Sequence, residues 1–179
     1  MVSGLAFQLP PRASQRLCAS SSQHSRVSER GGQRSEDQGQ NWTPLPGAKV
    51  GSNNEIEFDP ENSNRLYAAT GSAISIWDGK SWSVRDERHG LQRNAFGGFG
   101  FDKLAVDPKR PKVIYAGQRY SWVGVAGRVF RSTDGGDHWE NVTRNLGPDL
   151  TVWALTVSPH DGFVWLGTDY GNWKLPPPQ

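Results

Sequence analysis

The chain has 179 residues and a hydrophobic content of 35%, which suits one ordinary globular domain or a piece of a larger one. Its 21 Gly, 12 Pro and 8 Trp with a single Met favour β-structure over long helices. The net charge of +2 arises in residues 1–33, which carry four arginines against one glutamate, so the remaining residues have a net charge of −1 and offer no basic footprint for nucleic acid.

Residues 1–33 form a leading segment rich in Ser and Arg. It holds Cys18, the single cysteine of the chain, so no internal disulfide can form. Its opening apolar patch lacks an early positive charge and is interrupted by Gln8 and Pro10, which makes it a weak secretion signal. No apolar run in the sequence reaches the length of a membrane span. We expect residues 1–33 to be a disordered leader or the product of a mis-assigned start codon.

A repeat of about fifty residues follows. Each copy reads as a short apolar strand, a turn that contains proline, and a second strand with an aromatic residue near its end. The three copies are IEFDPENSNRLYAAT from Ile56, LAVDPKRPKVIYAGQ from Leu104 and LTVSPHDGFVWLGTD from Leu155. Their prolines, Pro60, Pro108 and Pro159, are spaced 48 and 51 residues apart.

A second pattern, SxDxGxxW, interleaves with the first. Its copies are Ser35, Asp37, Gly39 and Trp42; Ser75, Gly79 and Trp82; and Ser132, Asp134, Gly136 and Trp139. In the middle copy Trp77 occupies the place of the aspartate, and Asp78 follows it. Glycine accepts positive φ without a steric penalty, and an aspartate at the head of a turn can accept hydrogen bonds from nearby backbone NH groups. Each full unit is therefore predicted to be a four-stranded antiparallel sheet in which this turn joins the last two strands.

Units of four short strands at this period are typical of the blades of a β-propeller. The phrases VDPKRPKVIYAG and VFRSTDGGDHWENV resemble the BNR or Asp-box repeat family, and the resemblance covers residues 34–175. That family includes sialidases, xyloglucan-cleaving hydrolases, sortilin-type receptors and photosystem II assembly factors. The resemblance implies an all-β partial propeller, a structural role for the Asp-box aspartates and an extracytoplasmic location.

The number of units is small for a closed propeller, which needs four to eight blades. We expect two full blades, a leading fragment at residues 34–47, a trailing fragment at residues 151–175 and a Pro-rich end at residues 176–179. The chain is then either part of a longer protein that supplies the missing blades, or a protomer of a head-to-tail homo-oligomer in which each copy completes the other.

Binding residues are expected at one end of the sheets. Successive connections in an antiparallel unit alternate between its two ends, so the short turns share one end and the long connections share the other. The long connections are residues 88–102, 118–127 and 168–172. Their candidate binding residues are Arg93, Arg119, Tyr120, Trp122, Asp169 and Tyr170. Aromatic residues beside arginine on loops suit the apolar faces of sugar rings, although Tyr120 and Trp122 can equally serve only to anchor a long loop.

Evidence for catalysis is thinner. The resemblance to xyloglucan-cleaving members implies a catalytic carboxylate at Asp169, directly after Thr168, but Gly71 stands at the equivalent place in the first copy. Glycoside hydrolysis needs two carboxylates, and the sequence supplies one. The four histidines show no metal-ligand spacing, and no helix pattern follows the glycine-rich stretch at residues 96–100, so we predict no metal and no cofactor.

Taken together, these patterns favour a noncatalytic binding or assembly scaffold whose partner is a carbohydrate or another protein. The alternative is a fragment of a glycoside hydrolase of the xyloglucanase or sialidase type. A second carboxylate facing Asp169 would favour the alternative.

Overall fold

The computed structural model describes residues 16–19, 24–28, 31–46, 53–94, 97–119, 127–144, 146 and 150–179. These residues form four antiparallel sheets in which each strand pairs with the next along the chain. Sheet 1 contains Arg16–Ala19 (β1), His24–Ser28 (β2), Gly31–Ser35 (β3) and Thr43–Pro44 (β4), and sheet 2 contains Asn53–Phe58 (β5), Leu66–Thr70 (β6), Ala73–Trp77 (β7) and Trp82–Arg85 (β8). Sheet 3 contains Phe101–Asp107 (β9), Arg110–Gln118 (β10), Val129–Ser132 (β11) and Glu140–Asn141 (β12), and sheet 4 contains Val152–Val157 (β13), Val164–Thr168 (β14) and Gly171–Leu175 (β15).

The sheets stand side by side with their first strands nearest to one another, because β1 contacts β5, β5 contacts β9 and β9 contacts β13. This is the arrangement of propeller blades around an axis. The described residues contain no α-helix, and their one helical turn is the 3₁₀ turn Glu87–His89. The prediction of an all-β partial propeller is confirmed. The blade count differs from the prediction, since three sheets are four-stranded and sheet 4 has three strands.

Sheet 1 begins earlier than the sequence predicts. Strands β1 and β2 and most of β3 lie inside residues 1–33, where we expected a disordered leader. The β2–β3 pair runs in continuous register from Ser28 opposite Gly31 to His24 opposite Ser35. Backbone ladders use NH and carbonyl groups that every residue except proline carries, and β2 and β3 have too few apolar residues to show the alternation that identifies a half-buried strand. Sheet 1 is therefore a whole unit and not the fragment that we expected at residues 34–47.

The apolar core lies between the sheets. Strands β6 and β7 are buried along their whole length because neighbouring sheets cover both of their faces. Tyr67 of sheet 2 and Tyr115 of sheet 3 hold equivalent positions, and each is 1% exposed in the interface with the following sheet. The cluster that joins sheets 2 and 3 contains Tyr67, Ile74, Ile76, Leu104, Ile114, Phe130 and Trp139, and the cluster that joins sheets 3 and 4 contains Tyr115, Val129, Val152, Leu155 and Leu166.

The turn at residues 132–139 is held by its own side chains. Ser132 Oγ donates to Asp134 Oδ1 at 2.8 Å and accepts the backbone NH of Gly136 at 2.8 Å. Asp134 also accepts the backbone NH of His138 at 2.9 Å, and the Trp139 indole NH donates to the Gly136 carbonyl at 3.0 Å. The turn reverses the chain between β11 and β12 and needs φ of +94° at Gly136, which glycine adopts readily.

The turn at residues 35–42 repeats these contacts. Ser35 Oγ donates to Asp37 Oδ1 at 2.7 Å and accepts the backbone NH of Gly39 at 2.8 Å. Asp37 accepts the backbone NH of Asn41 at 2.8 Å, and the Trp42 indole NH donates to the Gly39 carbonyl at 3.0 Å. Equal spacing in the sequence thus produces equal geometry in sheets 1 and 3.

The middle turn differs from the alignment that the sequence suggested. Ser75 lies inside β7 and not at the head of the turn. The strand continues to Trp77, which pairs with Trp82, so the connection has four residues where that of sheet 3 has seven. Asp78 supplies the carboxylate and accepts the backbone NH of Ser81 at 2.8 Å. Gly79 has φ of +99°, so the predicted glycine position keeps its role in a tighter turn.

Candidate functional site

Four connections have described residues at one end of the sheets, which we call the loop face: the two-residue turns at 71–72 and 169–170, the described part of the link at residues 86–100, and Arg119 after β10. The connection at residues 168–172, which the sequence predicted to be long, is therefore a tight turn. Gly100 joins three of these segments, because its NH donates to the Gly71 carbonyl at 2.9 Å and its carbonyl accepts the NH of Arg119 at 2.9 Å. Gly100 has φ of +60°, and a Cβ there would come within 3.1 Å of the Arg119 carbonyl. Both the positive φ and this close approach therefore favour glycine where these segments cross.

Arg119 lies at the centre of a polar and aromatic group on this face. Its guanidinium carbon is 4.7 Å from the centroid of the Trp153 ring, which is a cation–π distance. Its Nη1 is 3.5 Å from Asp102 Oδ2, and Lys103 Nζ is 3.1 Å from the same oxygen. Asp102 and Lys103 are almost buried at the start of β9, whereas the side chain of Arg119 is 47% exposed. Arg119 therefore joins the buried charges of sheet 3 to an aromatic ring of sheet 4.

Trp153 continues the group to Asp169. The indole NH of Trp153 donates to the Asp169 carboxylate in the turn between β14 and β15. Hydrogen bonds from Thr151 and Trp153 hold the pKa of Asp169 below its ordinary value. Tyr170 follows in the same turn and is 60% exposed. We call Arg119, Trp153, Asp169 and Tyr170 the loop-face cluster.

The turns after β6 and β14 have the same geometry. Thr70 Oγ1 donates to the Ala73 carbonyl at 2.8 Å, and Thr168 Oγ1 donates to the Gly171 carbonyl at 2.8 Å. Gly71 in sheet 2 and Asp169 in sheet 4 therefore occupy equivalent positions, as the alignment of the repeats predicted. A carboxylate occurs at this position in sheet 4, as Asp169, and not in sheet 2.

The remaining predicted residues lie apart from the cluster or outside the described residues. Arg93 donates to the Gly97 carbonyl at 2.7 Å, pairs with Glu87, and lies over the Phe99 ring at 4.6 Å. Phe99 is 2% exposed, so this link between sheets 2 and 3 is packed against the core. Arg93 thus fixes the link through contacts within it. Tyr120 and Trp122 lie outside the described residues.

Sequence reasoning missed Trp153, Asp102 and Lys103. A bulge in the pairing of β13 with β14 between Val152 and Ala154 disturbs the alternation at Trp153. Trp153 consequently lies 45% exposed at the start of a strand that reads as continuously apolar. The one feature of the sequence that marked this place was the tryptophan immediately before the small residue Ala154. The bulge that exposes Trp153 has no signature in the sequence.

Two further carboxylates lie on the inner strand of sheet 2. Glu55 accepts the backbone NH of Leu104 at 2.8 Å, which joins β5 to β9. Burial and the neighbouring Glu55 raise the pKa of Glu57 to about 7. Glu57 pairs in register with Tyr67 and is the next-to-last residue of β5, away from the loop-face end of the strand. Glu57, the carboxyl group with a raised pKa, therefore lies on sheet 2, whereas Asp169 lies on sheet 4.

The described residues contain no group of three or more His, Cys, Asp or Glu side chains placed to hold a metal ion. Among the same residues, no helix is long and apolar enough to cross a membrane.

Comparisons with known proteins agree with this architecture. No protein-family model matches the chain. A xyloglucanase from Hypocrea jecorina is 28% identical over 131 residues, an alignment that covers 64% of this chain and 15% of the xyloglucanase. The crystal structure of an ancestral GH74 enzyme matches 97% of this chain and 24% of its own, with a TM-score of 0.74 and 19% identity. A chain of the nidogen–laminin complex matches 86% of this chain and 56% of its own, with a TM-score of 0.63 and 16% identity.

These likenesses define the class of the fold. The chain is a partial β-propeller, similar in structure to proteins that include GH74 enzymes. It spans about a quarter or less of the length of the xyloglucanase and of the ancestral enzyme.

Proposed function

We propose that the chain is a noncatalytic binding segment of a larger propeller, and that its loop-face cluster binds a xyloglucan-type polysaccharide. The observation that carries the proposal is the contact series from Arg119 through Trp153 to Asp169, with Tyr170 exposed beside it. Aromatic rings provide apolar faces for sugar rings, and the charged groups at either end of the series can bind hydroxyl groups. The resemblance to a xyloglucanase supports this class of ligand.

The SxDxGxxW turns have a separate role in this proposal. They lie at the ends of the sheets opposite the loop face, and the hydrogen bonds of their Ser and Asp side chains are made within each turn. We assign them to the Asp-box pattern, with the aspartates acting as structural residues. An extracytoplasmic location belongs to the same proposal and rests on the resemblance.

The test compares two tryptophans of sheet 4. Trp153 and Trp165 are both 45% exposed, but Trp153 belongs to the loop-face cluster and Trp165 lies near the opposite end of β14. We expect Trp153→Ala to weaken xyloglucan binding at least tenfold in isothermal titration calorimetry, and Trp165→Ala to leave it unchanged. The site would be excluded if the unmodified chain did not bind xyloglucan. It would also be excluded if Trp153→Ala and Trp165→Ala both bound xyloglucan as tightly as the unmodified chain.

A second candidate function is glycoside hydrolysis, which Asp169 favours. Its carboxylate is ionised near neutral pH, as a nucleophile requires, whereas its lowered pKa makes it a weaker general base than an ordinary aspartate. The reaction also needs a protonated acid across the glycosidic bond. On the described part of the loop face the other carboxylates are Asp102, which is engaged by Lys103 and Arg119, and Asp86 and Glu87, which pair with Arg88 and Arg93. The acid would therefore have to come from another segment of the parent protein.

Hydrolysis and binding are separable by experiment. Release of reducing sugar from xyloglucan by the unmodified chain, abolished in Asp169→Asn, would establish the second function. Binding without release would leave the first. Because the asparagine variant keeps the shape of the aspartate, a loss of turnover would report the charge of Asp169 and not a collapse of the turn.

A further inference from the structure

The tripeptide at residues 141–143, Asn-Val-Thr, begins in β12 and follows the turn at residues 132–139. An asparagine two residues before a threonine, with a residue other than proline between them, is the acceptor pattern for N-linked glycans. The pattern occurs once more in the sequence, as Asn-Trp-Thr at residues 41–43. The structure gives the two copies different surroundings, because Asn41 lies inside a turn and Asn141 lies on a strand.

Asn141 is on the outer edge of sheet 3. Strand β12 is the edge strand of that sheet, and both of its residues, Glu140 and Asn141, are exposed. The next residue, Val142, is 7% exposed, and its NH donates to the Val129 carbonyl at 2.8 Å. The middle residue of the tripeptide therefore anchors it to the core, while the asparagine stays at the surface.

The amide group of Asn141 is held in the fold by its oxygen. Asn141 Oδ1 accepts the hydroxyl of Thr143 at 2.6 Å and the backbone NH of Thr143 at 3.0 Å. Asn141 Nδ2 donates to Oε1 of Gln92, an exposed residue, at 3.3 Å. A sugar on Nδ2 leaves both contacts of Oδ1 in place, and the substituted nitrogen keeps one NH. The folded chain can therefore carry the modification at Asn141 without losing these bonds.

The nitrogen of Asn41 is engaged by the turn itself. Asn41 Nδ2 donates to Asp37 Oδ2 at 2.6 Å, and the Asn41 backbone NH donates to Asp37 Oδ1 at 2.8 Å. The threonine of this copy, Thr43, is followed by Pro44 in β4. Proline restricts the backbone of the residue before it, which limits the conformations that the tripeptide can present to an enzyme. Asn41 is therefore the poorer acceptor of the two.

We propose that Asn141 is the acceptor of an N-linked glycan and that Asn41 is not. In the transfer, Asn141 Nδ2 bonds to C1 of the first sugar of an oligosaccharide that is carried on a lipid diphosphate. The bond between C1 and the diphosphate oxygen breaks, the lipid diphosphate leaves with the electron pair, and Nδ2 loses one proton to a base of the transferase. The inference rests on the extracytoplasmic location proposed above, because these reactants belong to the secretory pathway.

A glycan at Asn141 also has a physical consequence for the fold. An edge strand presents backbone NH and carbonyl groups with which another chain can pair. A bulky and hydrophilic group on β12 covers this edge, so it keeps sheet 3 from pairing with a second molecule.

The test expresses the full chain in yeast behind an added secretion signal and collects protein from both the medium and the cells. An N-glycan-removing amidase, used in heavy-oxygen water, converts each glycosylated asparagine to a labelled aspartate. Mass spectrometry of the peptides then locates the label. We expect the label at Asn141 and no label at Asn41.

Two threonine variants form a matched pair. Thr143→Ala removes the acceptor pattern at Asn141, and Thr43→Ala removes the pattern at Asn41. The electrophoretic shift that the amidase causes should disappear in Thr143→Ala and persist in Thr43→Ala. Thr143 Oγ1 also accepts the Val129 NH at 3.0 Å, so Thr143→Ala can affect folding. Asn141→Gln keeps that bond and should lose the shift as well, whereas Thr143→Ser keeps the hydroxyl and should retain the shift.

A chain without glycan in both the medium and the cells, or a label at Asn41, would overturn the proposal. These outcomes are separate from carbohydrate binding, because xyloglucan affinity is measured on the amidase-treated chain. Xyloglucan binding by a chain that was never glycosylated would contradict the glycan alone. A glycan on a chain that does not bind xyloglucan would contradict the loop-face site alone.

Discussion

Arg85 at the end of β8 donates through Nε to the carbonyl oxygen of Gly136 in the next sheet, at 2.8 Å. Arg65, which precedes β6, makes the parallel contact with the Gly135 carbonyl through Nη2, also at 2.8 Å. Two cations of sheet 2 thus hold two successive carbonyl groups of the 132–139 turn. The turn is therefore fixed both by its own side chains and by its neighbour, which couples the geometry of one sheet to the position of the next.

We predict that Arg85→Ala destabilises the fold by about 2 kcal/mol, because the change removes a hydrogen bond and an ion pair from a side chain that is 12% exposed. The control is Arg88→Ala. Arg88 pairs with Asp86, but its side chain is 82% exposed, so we expect no change in stability. Urea denaturation followed by tryptophan fluorescence measures both. Equal stability of the two variants would show that the contact with Gly136 contributes nothing.

Asp134 provides a second prediction about the same turn. Burial acts to raise the pKa of Asp134, but hydrogen bonds from His138 and Ser132 outweigh burial and lower the pKa to about 2, from an ordinary value of 3.8. We expect Asp134→Ala to lower stability by roughly 1–2 kcal/mol at pH 7 and to leave xyloglucan affinity unchanged.

The pH dependence checks the cause of that loss. A depressed carboxyl pKa stabilises the folded chain above the unfolded pKa, and this stabilisation is lost as the pH falls through the folded pKa. The melting temperature of the unmodified chain should therefore approach that of Asp134→Ala between pH 4 and pH 2. A constant difference across this range would point to a cause other than the carboxylate charge.

Much of the fold could be predicted because its signals are local. Glycine at positive φ, a carboxylate that accepts turn NH groups and a tryptophan on the returning strand occur at fixed spacing, and they specify the turns at residues 35–42 and 132–139. The middle turn was misaligned because β7 extends two residues further, and this extension depends on the pairing of Trp77 with Trp82 across the strands. Most of sheet 1 was not predicted because β2 and β3 are polar and are held together by backbone hydrogen bonds, which leave no apolar pattern in the sequence.

Part of the candidate site could also be predicted from local features of the sequence. The sequence placed Arg119, Asp169 and Tyr170 on long connections, where loop position alone was informative. It did not identify Trp153, because a residue in an apolar strand is expected to be buried and the bulge at Val152 has no sequence signal. The contact of Arg119 with Trp153 joins two sheets and is visible only in three dimensions.

The loop-face cluster leads to a third prediction, for Arg119. We expect Arg119→Ala to weaken xyloglucan binding severalfold, because the guanidinium group that lies over Trp153 and pairs with Asp102 is lost. Arg119→Lys should restore little of the binding, since an ammonium group keeps the charge but has no planar surface to stack on the indole. Arg88→Ala, at an exposed arginine outside the cluster, is the control. Full binding by Arg119→Lys would show that charge alone matters.

Glu57 provides the last prediction, and its sign is opposite to that of Asp134. Burial and the charge of Glu55 raise the pKa of Glu57 to about 7, from an ordinary value of 4.5. The folded chain therefore binds a proton that the unfolded chain releases between these pH values, and stability falls as the pH rises from about 4.5 to 7. A shift of this size corresponds to a loss of folding stability on the order of 3 kcal/mol.

Glu57→Gln stays uncharged at all pH values and should be the more stable protein at pH 8, with little difference at pH 4. Glu61→Gln, at an exposed turn of the same sheet, should follow the unmodified chain throughout. Chemical denaturation across this pH range measures the effect, and parallel curves for the Glu57 and Glu61 variants would show that Glu57 is ionised in the folded chain at little cost.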